Sequence, residues 1–481
     1  MTTVYRWTGR EAKLLRQALR FSVRDFAARL GVGIRTVNRW EARQAGITPL
    51  PYMQQVLDTA LAQASDEVKT RFTEGVLLTR RDEPVVAQHE YAASPSESSP
   101  ADHRATPGEP VDDTGCDPVL AAPWNQRGTV EASIALSSGG SPVERRHFTL
   151  LSGAALTVPA HHWLIREPEP LVSGLSGGRV SVALVDQLSA MITTLRTMDD
   201  TAGGGTVLAL ARQAFGWVAG LLDQASYDDH TGRRLHIALA ELGQLTGVAA
   251  HDAGRPGLGQ RYHVAALRAA HTADDRPLGA HILACMADEA DLHGRPAEAV
   301  TLIETALAGI RGRETPRLLA ELSIRKAAAL ATLQDESACV AAVAQARTQV
   351  ERFEPDSDPG WLYWVTPAVT MAEAGYCLLR LGQPGRATAL LDGGIAMFDE
   401  SFARARQICL TQLAHALALP GQQRDVEAAA DRGLAAVHLA ESVTSARGID
   451  RLRDLYMQMQ PHASVPAVGD FLEQARGVLP T

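Results

Sequence analysis

Arg24, Arg35, Thr36, Asn38, Arg39 and Arg43 stand within one short stretch near the start of the chain. A guanidinium offers two parallel N–H donors that match guanine O6 and N7 or two phosphate oxygens, and a carboxamide pairs with adenine N6 and N7. That is the chemistry of reading a duplex. The surrounding charge agrees with it. Residues 1–64 hold nine arginines and one lysine against Glu11, Asp25, Glu41 and Asp58, a net +6, whereas the whole chain is −9 and the rest therefore −15. A basic head on an acidic body is the charge layout of a nucleic-acid-binding module carried by something else.

Other residues invite a chemical reading, and most of them decline it. Trp361, Tyr363 and Trp364 open a segment after Pro359-Gly360 and form the densest aromatic cluster, which suits either core packing or the wall of an effector pocket. Gly174-Leu175-Ser176-Gly177-Gly178-Arg179 is glycine-rich but lacks the Lys-Ser/Thr ending of a phosphate loop. His161-His162, Asp228-Asp229-His230 and His251-Asp252 have neither the HExxH nor the paired-cysteine spacing of a metal site, so surface or capping histidines are expected, with no metal and no cofactor. Cys116, Cys285, Cys339, Cys377 and Cys409 are odd in number and far apart, which points away from a disulfide framework and toward a reducing cytoplasm. No acid/base or nucleophile arrangement stands out, so no enzyme is expected. Glu144-Arg145-Arg146-His147 resembles a twin-arginine export signal but lies far from the N-terminus, and it reads instead as the first helix of a second domain.

Positioning these residues takes more than one core, since 481 residues exceed what a single core organises. Seven of the 25 prolines fall between Pro84 and Pro123, and Ser137-Ser138-Gly139-Gly140-Ser141 follows, so residues 82–143 read as an extended, largely disordered linker. It separates a head, residues 1–81, from a body, residues 144–481. In the head, residues 8–64 read as four or five short helices, the first three over Gly9–Arg20, Val23–Leu30 and Ile34–Arg43, with Ser22 as an N-cap answered by Asp25, Gly31-Val32-Gly33 as a sharp turn, and Phe26, Ala27, Leu30, Val37 and Trp40 facing inward. In the body, Val180, Leu184, Leu188, Met191 and Leu195, and then Leu208, Ala211, Phe215, Val218 and Leu222, recur at helical spacing. Beyond residue 230, turns at 254, 294, 334, 382 and 421 are spaced 40, 40, 48 and 39 residues apart. That period is the signature of stacked helical hairpins, an α-solenoid. The fold class is therefore all-α.

Ser22-Val23-Arg24-Asp25-Phe26-Ala27-Ala28-Arg29-Leu30-Gly31-Val32-Gly33-Ile34-Arg35-Thr36-Val37-Asn38-Arg39-Trp40-Glu41 resembles the helix-turn-helix of the Cro-type phage-repressor (XRE) family. Ala27 is small where the two helices nearly touch, Gly31 matches the family's turn position, and Gly33 departs from it where the family often has Ser. The resemblance implies that the third helix enters the major groove. Ile34, Arg35, Asn38 and Arg39 are then the base-contact candidates, and Arg24, Thr36 and Arg43 the phosphate-contact candidates.

In the body, Ala287–Val300 and Ala372–Ala387 resemble degenerate tetratricopeptide repeats. A repressor-type head on such a body resembles helix-turn-helix/repeat regulators of actinobacteria, whose GC-rich coding also suits the scarcity of Lys here. The resemblance implies a homodimer held through the repeats, two heads on a pseudo-palindromic operator, and a peptide, small-molecule or protein effector, with no membrane partner and a cytoplasmic, nucleoid-associated location. The other expectation, from a different class, is a DNA-tethered interaction scaffold of the plasmid-maintenance or telomere-associated type.

Overall fold

The computed structural model describes residues 7–30, 34–43, 57, 60–61, 64–81, 117–137, 150–175, 177–353, 358–421 and 424–479. Most of these residues are helical, as the all-α expectation requires, and they divide into two compact units, Met1–Cys116 and Asp117–Thr481.

In the first unit, α1 (Gly9–Ala18) is launched by a capping box: Thr8 Oγ1 accepts from Arg10 N–H at 3.2 Å, and Thr8 N–H donates to Glu11 at 2.8 Å. Ser22 plays the same part for α2 (Val23–Leu30), where its Oγ accepts the Asp25 N–H at 3.1 Å. The third helix, α3 (Ile34–Arg43), turns Val37 and Trp40 into the core beside Leu15, Phe26, Ala27 and Leu30. Arg16 of α1 fastens α3 through a two-pronged bridge to Glu41 at 2.5 and 3.1 Å. The last helix described in this unit, α4 (Asp66–Arg81), brings Phe72 to stack on Trp7 with ring centroids 5.5 Å apart. The predicted turn at Gly31–Gly33 lies outside the described residues.

The linker expectation needs correcting at its C-terminal side. Residues 82–116 and 138–149 lie outside the described residues, and so does the predicted helix beginning at Glu144. Between them, α5 (Pro118–Ala121) and α6 (Gln126–Ser137) belong to the second unit. Proline there starts a helix and shapes a turn instead of preventing structure. Val119, Trp124, Val130, Ala132 and Leu136 are buried, and Arg268 donates to the Leu120 and Pro123 carbonyls at 3.1 and 3.0 Å while lying over the Trp124 ring. Those donors, with Arg261 bridging Asp117 at 2.7 Å, hold the irregular segment down.

The second unit continues with α7 (Ala154–Ile165), α8 (Val182–Ala202) and α9 (Gly204–Gln224). A two-residue antiparallel strand pair, β1 (Gly174–Leu175) with β2 (Ser226–Tyr227), is the one strand pair among the described residues. Helix α9 is long and apolar enough to cross a membrane, yet Val207, Ala211, Phe215, Val218 and Ala219 are buried in the core of the unit. Five helical hairpins then follow: α10 (Asp229–Asp252) with α11 (Pro256–Thr272), α12 (Arg276–Leu292) with α13 (Pro296–Gly309), α14 (Pro316–Thr332) with α15 (Glu336–Val350), α16 (Pro367–Arg380) with α17 (Pro384–Ala396), and α18 (Ala403–Ala418) with α19 (Val426–Ala440). The chain closes with α20 (Ala446–Met459) and α21 (Pro466–Val478).

The turns read from the sequence sit inside these hairpins. Gly254, Gly294, Gln334 and Gly382 have φ of 73, 73, 59 and 71°, the left-handed conformation that ends one helix before the next begins. Helix starts are fixed by Asp228, Asp275, Asp335, Thr366, Asp425 and Ser445, whose side chains accept the N–H three residues on. Small residues let the helices close up. A Cβ on Gly279 or Gly309 would come within 2.1 or 2.2 Å of the Trp163 ring, which is fully buried between them. The first helices of successive hairpins pack on one another, α12 on α14 and α14 on α16, while α18 packs on α20. At the far end α20 comes back onto α10, and α18 onto α8.

Candidate functional site

That return borders a cavity of about 200 Å3, partly open to solvent and walled by α8, α10, α12, α14, α16, α18 and α20. A second hollow of about 650 Å3 shares Tyr376, Arg380, Arg447 and Arg451 with it. Closure is made by hydrogen bonds. Thr444 N–H donates to the Ala202 carbonyl at 2.8 Å, Gly205 N–H donates to the Thr444 carbonyl at 3.0 Å, and Asp252 accepts from Ser445 Oγ at 2.6 Å and Gly204 N–H at 2.9 Å. Burial alone would push the Asp252 carboxyl up, but Arg404, Arg447 and those two hydrogen bonds hold it below its ordinary value. It is an ionised latch between the α8–α9 turn, α10 and α20.

The walls are unusually charged for an interior. Arg196, Arg325, Arg380, Arg404, Arg447 and Arg451 face Asp199, Asp200, Asp288, Glu289, Asp291, Glu321 and Glu373. Most are paired across helices. Arg404 of α18 lies 2.8 Å from Asp199 and 3.5 Å from Asp200 of α8. Arg325 of α14 reaches Asp288 of α12 at 3.0 Å and Glu373 of α16 at 3.5 Å. Arg380 of α16 donates to Asp291 of α12, and also to Thr332 Oγ1 at 2.8 Å. Desolvation is still costly here: burial, only partly offset by Arg404, pushes Asp199 up to about 6. Bridges of this kind fix which helix faces which more than they add stability.

Aromatic rings complete the wall. Trp361 stacks on His281 at 4.8 Å between centroids, Arg325 lies 5.5 Å over Trp364, and the Tyr363 hydroxyl donates to Asp200 while its ring stacks on Phe402 at 6.3 Å. Tyr376 carries two guanidiniums, Arg380 at 4.7 Å and Arg451 at 4.6 Å. The three aromatic candidates therefore all line the cavity, on the 3-10 turn Gly360–Leu362 and the residues just after it. That turn sits in the connection between α15 and α16, where the turn spacing stretches from 40 to 48 residues. The longer connection is what brings the rings inward.

Neither a protein-family model nor any characterised protein matches this chain.

The head candidates have a simpler setting. Arg24, Asn38 and Arg39 are exposed and Thr36 is half-buried, on the side of α2 and α3 away from the Trp40 core. Ile34, Arg35 and Arg43 lie on α3, and their side chains fall outside the described residues. Among the histidine groups, His161 and Asp252 are buried instead of surface-lying, and His251 faces Glu289 at 3.7 Å. Asp228 does cap a helix, accepting from Thr231 N–H at 2.8 Å. The sequence reading missed the charged lining. Its signal was present as charges four apart on one helix face, Glu321 with Arg325 and Arg447 with Arg451.

Proposed function

We propose that the chain is a sequence-specific DNA-binding transcriptional regulator of the Cro-type (XRE) helix-turn-helix class, acting as a homodimer on a pseudo-palindromic operator. Its second unit, on this reading, is a tetratricopeptide-like α-solenoid that dimerises and takes an effector. The observation that carries the reading is α3. Its buried face is Val37 and Trp40, anchored by Arg16–Glu41, and its other face offers Asn38 and Arg39 to solvent in a segment of net positive charge. A helix held this firmly and left polar on its free face suits the major groove.

For the effector, a recessed hollow of about 200 Å3 suits a small molecule. Its lining of tryptophan, tyrosine and phenylalanine among paired arginines and carboxylates suits a compact ligand with a ring and at least one charged group. Binding of that kind would compete for the cross-helix bridges that set how α8, α18 and α20 close, which is a route by which a ligand biases the array.

The reading is tested with Arg35→Ala on a selected duplex. A loss of about 1–3 kcal/mol is expected, roughly five- to 150-fold in affinity, with relaxed preference at one base position. Arg24→Ala should weaken all duplexes alike. An electrophoretic titration in which Arg35→Ala discriminates as well as the parent removes Arg35 from the reading set.

A further inference from the structure

Three donors on the cavity wall stand apart from the arginine bridges. His281 and Cys285 are four residues apart on α12, hence on one helix face one turn apart. Glu321 of α14 meets them from the adjoining helix, and one ligand atom from each lies within 4.8 Å of the others. We propose that His281, Cys285 and Glu321 form a binding site for a thiophilic divalent cation of the zinc class, with its fourth coordination position open to the cavity. The site stands on the second unit alone and is independent of the DNA-binding reading.

The donor set selects the ion. An imidazole nitrogen, a thiolate and a carboxylate oxygen are the mixed, borderline-soft ligands zinc accepts, whereas calcium and magnesium want oxygen throughout. Three protein donors leave a coordination position for water or a ligand, unlike the closed four-donor sites that only brace a fold.

Charge favours the ion as well. Glu321 is 1% exposed and Glu289, one turn beyond Cys285 on α12, is 3% exposed. Neither Glu289 oxygen has a hydrogen-bond donor, and its nearest charged-capable neighbours are His263 Nδ1 at 3.4 Å and His251 Nδ1 at 3.7 Å. The nearby guanidinium, Arg325, hydrogen-bonds Asp288 and Glu373 instead. Neither carboxylate has a guanidinium hydrogen bond, and Arg325, whose charge also acts on Glu321, is shared with Asp288 and Glu373, so a divalent cation beside them supplies positive charge the wall lacks. In the structure His281 Nδ1 lies 2.8 Å from Glu321 Oε1, a hydrogen-bonded pair. Coordination replaces that bond by a metal–nitrogen and a metal–oxygen bond: the proton that His281 Nδ1 shares with Glu321 is given up to solvent as Nε2 takes one, which frees the Nδ1 lone pair, and the Cys285 thiol gives its proton to solvent as the metal–sulfur bond forms. Trp361, stacked on His281, holds the ring in place.

The test uses the full chain, freed of metal by a chelator and titrated with Co2+. One equivalent should bind with a thiolate-to-cobalt charge-transfer band in the near ultraviolet. Cys285→Ser should abolish the band, Glu321→Gln should weaken binding by more than about tenfold, and Cys409→Ser, whose thiol also lines the cavity, should keep it. X-ray absorption of the zinc-loaded parent needs no variant and should show one sulfur among nitrogen and oxygen neighbours. No band at one equivalent, a band that survives Cys285→Ser, or a zinc shell without sulfur each overturns the proposal.

Discussion

Replacing Arg404 by methionine is expected to cost the second unit about 3–5 kcal/mol of stability at pH 8, the usual result of removing one partner from a buried ion pair. The arginine side chain is 14% exposed and faces Asp199 and Asp200, with Asp252 also within its field. Methionine fills much of the volume but leaves those carboxylates without their cation. The loss should depend on pH in a definite direction. Asp199 titrates at about 6 in the folded chain against an ordinary value of 3.8, so the folded state takes up a proton before the unfolded state does, and stability from this group rises as pH falls from about 6 toward about 4. Without Arg404 that carboxyl is driven higher still. The cost of Arg404→Met is therefore largest above pH 6 and shrinks below it. Asp199→Asn in the same background should return part of the loss, because the buried negative charge goes with it. Urea unfolding followed by far-ultraviolet circular dichroism at pH 5 and pH 8 checks both statements. A loss under about 1 kcal/mol, or one that does not shrink at the lower pH, would mean that the bridges are incidental.

The second large effect is expected in the head. Trp40 is 3% exposed on α3, where its ring and Val37 hold the helix onto the core. Truncating a buried tryptophan to alanine typically costs about 3–5 kcal/mol, and a unit of this size has a margin not much above about 5 kcal/mol. Trp40→Ala should leave the head largely unfolded at 37 °C and abolish duplex binding, while the main thermal transition, which belongs to the larger second unit, stays in place. Trp40→Phe should retain most of the binding. Binding by Trp40→Ala within twofold of the parent would show that α3 does not present the reading surface.

These expectations draw on sequence and structure unequally. The first three helices of the head were legible because they carry local punctuation: Ser22 answered by Asp25, and apolar residues on one face at the helical period. The hairpin period was legible for the same local reason, since a left-handed residue must interrupt the chain at 254, 294, 334 and 382. Trp361, Tyr363 and Trp364 could be singled out by density. Their company could not, because Asp199, Cys285, Glu321, Arg404 and Arg447 meet only when α20 returns to α10, a long-range event with no local mark. The segment 117–137 misled for a related reason. Its prolines look like a tether until Arg268, more than a hundred residues later, supplies the donors for its carbonyls.

The central claim is that the first unit reads duplex sequence, and one measurement bears on it most directly. The purified full chain is used to select duplexes from a random library, and the affinity of the enriched sequence is compared with that of its scrambled counterpart at about 0.15 M salt. The account predicts a preference of roughly a thousandfold or more, with two half-sites about one helical turn apart. Equal affinity for the enriched and scrambled duplexes, or no enrichment at all, would contradict it.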